Sequence, residues 1–355
     1  MLGPVVTVLI DTYNHERFIE QAINSVLEQD FPLSDAEIIV VDDGSTDRTP
    51  ELVRRFEPRV RLLRKKNGGQ ASAFNAGIPE ARGEIVAFLD GDDWWAPNKL
   101  SSVVDAMRRD PSLGIIGHGI TMVHLDGREQ SETLREGFRF QANTVEGAKL
   151  FRLRKSFLGT SRMALRADLL RRIGSVPEAL TLQADEYLFT LGAVLAPGEV
   201  LKDALTYYRI HDANGFQLSG NDPRKARRKL EALGAVARSL SERLVHLGMD
   251  ARTRDAIIGI IQAEADQLRL MLDGGWPWET AKTEWNIYAV MGVDASFSHR
   301  VLKMLSLLPA LALPPRLFYG LRQRLALNNL YVWARHRAVP IAGPRHVRRN
   351  WKASP

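Results

Sequence analysis

Carboxylates crowd the stretch Glu84 to Trp95, E-I-V-A-F-L-D-G-D-D-W-W, where Asp90, Asp92 and Asp93 follow the short apolar run Ile85 to Leu89. Such a run reads as a buried strand that delivers acids to the rim of a sheet. Carboxylates placed this close repel one another, and a cation relieves the repulsion. Hard oxygen ligands suit Mg²⁺ or Mn²⁺, ions that commonly partner a phosphate. The bland alternative is an Asp-rich turn, because Asp favours turns in any case. Taken alone, the motif fits both.

The elements that must position these acids are legible upstream. Val5 to Ile10 is a β-branched apolar run, and Phe18, Ile19, Ala22, Ile23, Val26 and Leu27 then recur at helical spacing, with Asn14 as the expected N-cap. Glu37 to Val41 predicts a second strand running into Asp42-Asp43-Gly44-Ser45, followed by a helix over Thr49 to Phe56 with Pro50 in its first turn. Val60 to Leu63, a turn at Asn67-Gly68-Gly69, a helix over Gln70 to Glu80 and the strand Ile85 to Leu89 complete the series. Strands alternating with helices predict an α/β fold, a mostly parallel central sheet with helices on both faces. Ligands of such sheets sit beyond the carboxyl ends of the strands. Thr12-Tyr13, Asp42-Asp43 and Asp90 to Asp93 all fall there, which a chance Asp turn does not explain.

Further along, Ile115 to Val123 and Val200 to Ile210 read as strands, Asp126-Gly127 as a hairpin turn, and Val145 to Leu153, Asp168 to Ile173 and Asp185 to Leu195 as helices. Beyond Pro223 helical spacing takes over, with Leu230, Leu233, Val236, Leu240, Leu244 and Leu247 as one stripe. The expected organisation is a first domain over residues 1–220, a helical extension over 221–300 and a basic, partly amphipathic tail over 301–355.

Composition narrows the options. The 355 residues contain no cysteine, which excludes disulfides, thiolate metal sites and cysteine nucleophiles. No basic leader or cleavable apolar segment opens the sequence, so no secretion signal is expected. The net charge of +6 hides an asymmetry: residues 301–355 hold ten Lys or Arg and no Asp or Glu, while the first 300 residues carry 38 basic and 42 acidic groups. The stretch Val301 to Tyr319 is too interrupted by Lys303, Pro309, Pro314, Pro315 and Arg316 to span a bilayer. In the tail, Leu317, Phe318, Leu321, Leu325 and Val332 form a partly apolar face among arginines, as in a helix lying on an anionic membrane surface; a solvated basic end or a helix packed on the main domain fits equally. No nucleic-acid-binding module is present.

Taken in order, the motifs resemble those of the inverting family 2 glycosyltransferases, which have the GT-A fold. Val8-Leu9-Ile10-Asp11-Thr12-Tyr13-Asn14 is similar to that family's opening strand, with Asp11 where the family usually has Pro. E-I-I-V-V-D-D-G-S-T-D at Glu37 to Asp47 resembles its nucleotide-binding loop, N-G-G-Q-A-S-A-F-N-A-G at Asn67 to Gly77 the following helix, and Ala87 to Trp95 its D-x-D region. Phe157 to Ser161 and Arg166 to Gly174 look like its acceptor-side segment. Ala184-Asp185-Glu186 stands where the family has Glu-Asp, and Tyr208-Arg209-Ile210-His211 where it has Tyr-Arg-x-His. The resemblance covers residues 4–215.

It implies transfer of a sugar from a nucleotide-diphosphate donor, by family habit a UDP-sugar, to a hydroxyl of a glycan or lipid-linked acceptor. Asp92 and His211 would hold Mg²⁺ or Mn²⁺. Asp90 would contact ribose or metal-bound water, Asp43 the base or ribose, and Thr12 and Tyr13 would cradle the base. Asp185 would be the catalytic base, with Glu186 as the rival because Ala184 replaces the usual Glu. A cytoplasmic protein, peripheral on the inner face of the cell membrane, is expected. The alternatives are a catalytically inactive, transferase-like scaffold and a phosphatase of the haloacid-dehalogenase type. The latter expects its D-x-D after the first strand, whereas here it follows the fourth.

Overall fold

The computed structural model describes residues 3–154, 157–211, 222–291 and 297–326. The first half alternates as expected: β1 (Val6–Thr12), α1 (Ile19–Leu27), β2 (Ala36–Asp42), α2 (Thr49–Arg54), β3 (Arg61–Arg64), α3 (Gln70–Gly77) and β4 (Ile85–Asp90). Next come β5 (Trp94–Trp95), α4 (Lys99–Arg109), β6 (Ile115–His124), β7 (Glu129–Glu132), β8 (Phe138–Phe140) and α5 (Val145–Arg154). The chain continues through β9 (Ala164–Arg166), α6 (Ala167–Ile173), α7 (Ala184–Leu195) and β10 (Gly198–Ile210). Among the described residues helices alone follow: α8 (Pro223–His246), α9 (Ala251–Asp273), α10 (Pro277–Met291), α11 (Phe297–Ala312) and α12 (Pro315–Ala326).

The chain divides into two compact units. The first, up to Gln141 together with residues 157–211, contains the sheet, in the order β3-β2-β1-β4-β9-β6-β10-β5. It is parallel from β3 to β4 and mixed beyond, because β9 enters antiparallel to both β4 and β6 while β10 runs parallel to β6. The chain goes outward from β1 through β2 to β3, then returns to place β4 on the other side of β1. The carboxyl ends of β1 and β4 therefore flank the point where strand order reverses, the usual place for a ligand crevice.

Alternation along the strands separates two packed faces. Val6, Val8 and Ile10 of β1 join Ile38, Val40, Ala87 and Leu89 against Ile19, Ile23 and Val26 of α1 and Val103, Val104 and Met107 of α4. On the other face α3 lies so close that a Cβ on Gly77 would stand 2.3 Å from a methyl of Leu9 and 2.8 Å from one of Val41.

One local expectation changes. Asn14 does not cap α1, which begins at Ile19 after a turn closed by the Phe18 and Ile19 amides on the His15 carbonyl. Asn14 instead has φ of 56°, and its Oδ1 accepts the Thr46 amide at 2.8 Å, tying the turn after β1 to the loop after β2. Asn tolerates this left-handed conformation better than most residues.

The second unit comprises Ala142–Arg154 and, among the described residues, everything from 222 to 326. Thus α5, flanked in sequence by strands of the sheet, packs against α9 and α10. The boundary expected at residue 301 falls inside α11: Ala310 of α11 and Phe318 and Tyr319 of α12 form a buried cluster with Leu270 of α9. Tail residues Val332 and beyond lie outside the described residues.

Replacing Gly77 with Val should lower stability by about 1–3 kcal/mol, the usual penalty for forcing extra methyls into a packed core. Equilibrium urea unfolding measures it; an unchanged midpoint would mean that α3 packs less closely on β1 and β2 than its contacts show.

Candidate active site

Parallel register sets the acids side by side. Asp11 of β1 pairs with Asp90 of β4, and the Gly91 amide donates to the Asp11 carbonyl at 2.9 Å. Oxygens of Asp90, Asp92 and Asp93 all lie within 4.8 Å of one another. Asp11 Oδ1 is buried and has no hydrogen-bond partner among the described residues. Burial and the Asp92 charge push the Asp11 carboxyl up to about 8. Burial, then the charges of Asp11 and Asp92, push Asp90 well above the usual range, and burial does the same to Asp93. Burial acts on Asp92 too, but a hydrogen bond from His211 and the nearby His15 bring it below the usual range.

The four acids are not equivalent. Asp93 has both oxygens engaged: Oδ1 accepts the Arg209 amide at 2.9 Å and Oδ2 accepts Ser161 Oγ at 2.6 Å. It braces the loop and has little left for a ligand. Asp92 Oδ2 meets His211 Nε2 at 3.0 Å and His15 Nε2 at 3.7 Å. Among the described residues the acids whose oxygens converge closely enough for one ion are Asp90, Asp92 and Asp93. His211 lies against Asp92 and the open oxygen of Asp11 on the strand paired with Asp90, and the set carries excess negative charge. That set fits a divalent cation of the Mg²⁺ or Mn²⁺ type.

β10 delivers His211 and clamps the acidic loop. Arg209 Nε donates to the Asp92 carbonyl at 2.9 Å, and its guanidinium lies 4.6 Å from the Phe18 ring centre and 4.5 Å from that of Trp94. Trp94 in turn stacks on Tyr207 at 5.1 Å. These contacts fix the Tyr-Arg-x-His segment against the D-x-D turn.

Ser161, between α5 and β9, is the hub beneath. Its hydroxyl accepts the Asp90 amide at 3.0 Å while donating to Asp93. Its carbonyl accepts Lys99 Nζ at 2.8 Å, Trp95 Nε1 at 3.1 Å and Thr206 Oγ1 at 2.6 Å. Lys99 is fully buried, 3.9 Å from the Trp95 ring centre, and burial holds its amine well below the usual range.

The remaining expected residues take the following places. Thr12 is buried and shares a 3.2 Å hydrogen bond with His15 Nδ1, whereas Tyr13 is 44% exposed and free to present its ring. Asp43 does not cap the next helix; its carboxylate accepts Lys65 Nζ at 2.7 Å, Gly68 N at 3.0 Å and Gly69 N at 2.7 Å. Asp185 lies in the first turn of α7, accepting the Glu186 amide at 2.8 Å and the Thr160 amide at 3.2 Å. Burial and the neighbouring Glu186 raise its carboxyl. Gln70 supports it from below, donating to Thr160 Oγ1 at 2.9 Å and accepting the Ala184 amide at 2.8 Å. The Asp185 charge acts on both Asp11 and Asp90, which places it near the acidic cluster.

Sequence reasoning marked Asp11 as a departure and Asp93 as one of the crowded acids, but gave no role to His15, Gln70 or Ser161. The partners of Ser161 lie as much as 71 residues away, and no local pattern announces them.

Comparison with known proteins agrees with this geometry. The profile described as "Glycosyl transferase family 2" matches residues 7–174. An uncharacterized glycosyltransferase of Nostoc sp. is 32% identical over 255 residues, covering 70% of this chain and 78% of that protein. The chain belongs to glycosyltransferase family 2 and is a glycosyltransferase. Solved structures show the shared GT-A fold. Residues 1–349 of Staphylococcus aureus TarS, in complex with UDP-GlcNAc, superpose with a TM-score of 0.58 at 22% identity, covering 86% of this chain and 87% of that one. The mannosyltransferase PcManGT of Pyrobaculum calidifontis, in complex with GDP-Man and Mn²⁺, gives 0.51 at 22% identity over 94% and 84% of the two chains.

Ser161→Ala should lower unfolding free energy by about 1–3 kcal/mol, because it leaves a buried carboxyl and a backbone amide without their partner. Urea titration checks this. An unchanged midpoint would remove the hydroxyl from the bracing of the acidic loop.

Proposed function

We propose that this enzyme moves a sugar from a nucleoside-diphosphate donor to an acceptor hydroxyl with inversion, using Mg²⁺ or Mn²⁺. The observation that carries the reading is the convergence of Asp90, Asp92 and Asp93 at the switch point, with His211 against Asp92 and the charge of Asp185, on a separate helix, acting on Asp90. The nucleotide sugars in the TarS and PcManGT complexes, and the Mn²⁺ in the latter, support the donor class and the cation. UDP is the preferred nucleotide, and the acceptor a glycan or lipid-linked glycan; a relative named poly(ribitol-phosphate) β-N-acetylglucosaminyltransferase supports a polymer-building role.

Asp92 and His211, assisted by Asp90, would hold the cation, which when bound offsets the charge of the leaving diphosphate. Tyr13 offers its ring to the nucleotide base beside the buried Thr12. Asp43, already fixed by Lys65 and two backbone amides, accepts from the base or ribose. Asp185 takes the proton of the acceptor hydroxyl as that oxygen bonds to the anomeric carbon and the bond to the diphosphate breaks. Asp185 is preferred to Glu186 because its charge reaches Asp11 and Asp90.

Asp92→Asn should abolish Mn²⁺-dependent binding of UDP while the fold persists, a neutral amide being a poorer ligand for a hard cation. Calorimetric titration of UDP with and without Mn²⁺ tests this, and wild-type affinity would take Asp92 out of the cation site.

The base must be ionised to act, and burial raises the Asp185 carboxyl. Its proton is therefore taken up as pH falls through a value above the ordinary carboxylate figure of about 4, and kcat/KM should decline there. Asp185→Asn should cut turnover by roughly 10²-fold or more with donor affinity retained, and erase that acid limb. If Glu186→Gln is the crippling change, the base lies one residue on.

A further inference from the structure

The helical unit ends in two helices that are apolar on both sides. Inward, Ala310, Phe318 and Tyr319 close on Leu270, with Leu313 and Ala281 against them. Outward, Met304, Leu305, Leu308 and Leu311 of α11 are 54–62% exposed. Their spacing puts them on one face of the helix. Leu317 and Leu321, one turn apart on α12, are 50% and 40% exposed. Trp276 and Trp278 stand 70% and 58% exposed around the turn before α10. Arg316 Nη2 donates to the Leu272 carbonyl at 2.6 Å, which brings the start of α12 against that turn. An inward apolar stripe accounts for a surface helix; a second, outward stripe needs a further partner.

Charge selects the partner. Residues 297–326 carry Arg300, Lys303, Arg316, Arg322 and Arg324 and no Asp or Glu. Arg322 pairs with Glu284, yet the stretch keeps a net positive charge that would oppose a second copy of itself. No helix among the described residues is long and apolar enough to cross a membrane. We propose that the outward face of α11 and α12, with the tryptophans of the 274–278 turn, lies on an anionic lipid surface. Leucines and tryptophans would enter the boundary between headgroups and acyl chains, and the net positive charge of the stretch would favour anionic headgroups. The surface is independent of the donor and acceptor assignments, since vesicle binding and donor hydrolysis are separate assays.

The test uses the full chain and vesicles of phosphatidylcholine alone or mixed with phosphatidylglycerol, sedimented across a salt series. The wild-type chain should pellet with the anionic vesicles, less so as salt rises, with a blue shift of tryptophan emission. Leu305→Gln, Leu308→Gln and Leu311→Gln combined should weaken partition by roughly tenfold or more, since three exposed apolar side chains are lost from the contact. The circular dichroism spectrum and donor hydrolysis in solution should be unchanged. Trp276→Gln with Trp278→Gln supplies a second variant if the first misfolds, and should also weaken partition. Equal pelleting of wild type and variants, or binding indifferent to anionic lipid, would overturn the proposal. So would a dimer in light scattering that the leucine variant abolishes without any vesicle binding.

Discussion

Mutual repulsion among buried carboxylates is the constraint around which the sheet unit is arranged. Asp11 near the end of β1, Asp90 at the end of β4, and Asp92 and Asp93 in the turn that follows stand close together, and Asp185 adds its charge. Ionised carboxylates in a dry environment are costly unless paired or bound to a metal. The protein meets part of that cost with fixed partners. Ser161 and the Arg209 amide hold Asp93, and His211 with His15 holds Asp92. The part left unmet, at Asp90 and Asp11, is what a cation would relieve.

The bracing explains why the segment around Ser161 and β10 belong to the same site as the D-x-D turn although they are far away in sequence. The Ser161 carbonyl gathers Lys99, Trp95 and Thr206, so α4, β5 and β10 meet on one backbone atom. Arg209 adds a second bolt between the rings of Phe18 and Trp94. Charge-assisted and ring contacts of this kind strengthen in a low-dielectric surround, where an unmade bond is correspondingly expensive. Rigidity at the turn therefore rests on side chains that carry no chemistry themselves.

This division also decides what could be read in advance. Strands with continuous β-branched runs, such as Val5 to Ile10 and Glu37 to Val41, announced themselves because a buried parallel strand needs apolar residues on both faces. The crowding of Asp90, Asp92 and Asp93 was legible from acids at a strand end, whereas His211, which lies against Asp92, entered only through the resemblance of its segment. Asn14 was misplaced as a cap because capping and left-handed turns draw on the same residue, and only the loop after β2 decides between them. Ser161 and Gln70 were invisible because their roles depend on partners brought in by the topology. The helical extension showed its periodicity, yet nothing local said that α5 would pack with it, or that residues 310–319 would supply core to the end of α9.

Asp11 shows how a single departure acts on this balance. Proline at that position would have no side-chain charge and no amide to donate. Here the residue sits in register with Asp90, with one oxygen buried and unpartnered, and its carboxyl is pushed up to about 8. In a cluster empty of cations such a group carries its proton near neutral pH, which limits the repulsion that Asp90 and Asp92 must bear. A bound divalent charge would reverse that preference and free another hard oxygen at the same place.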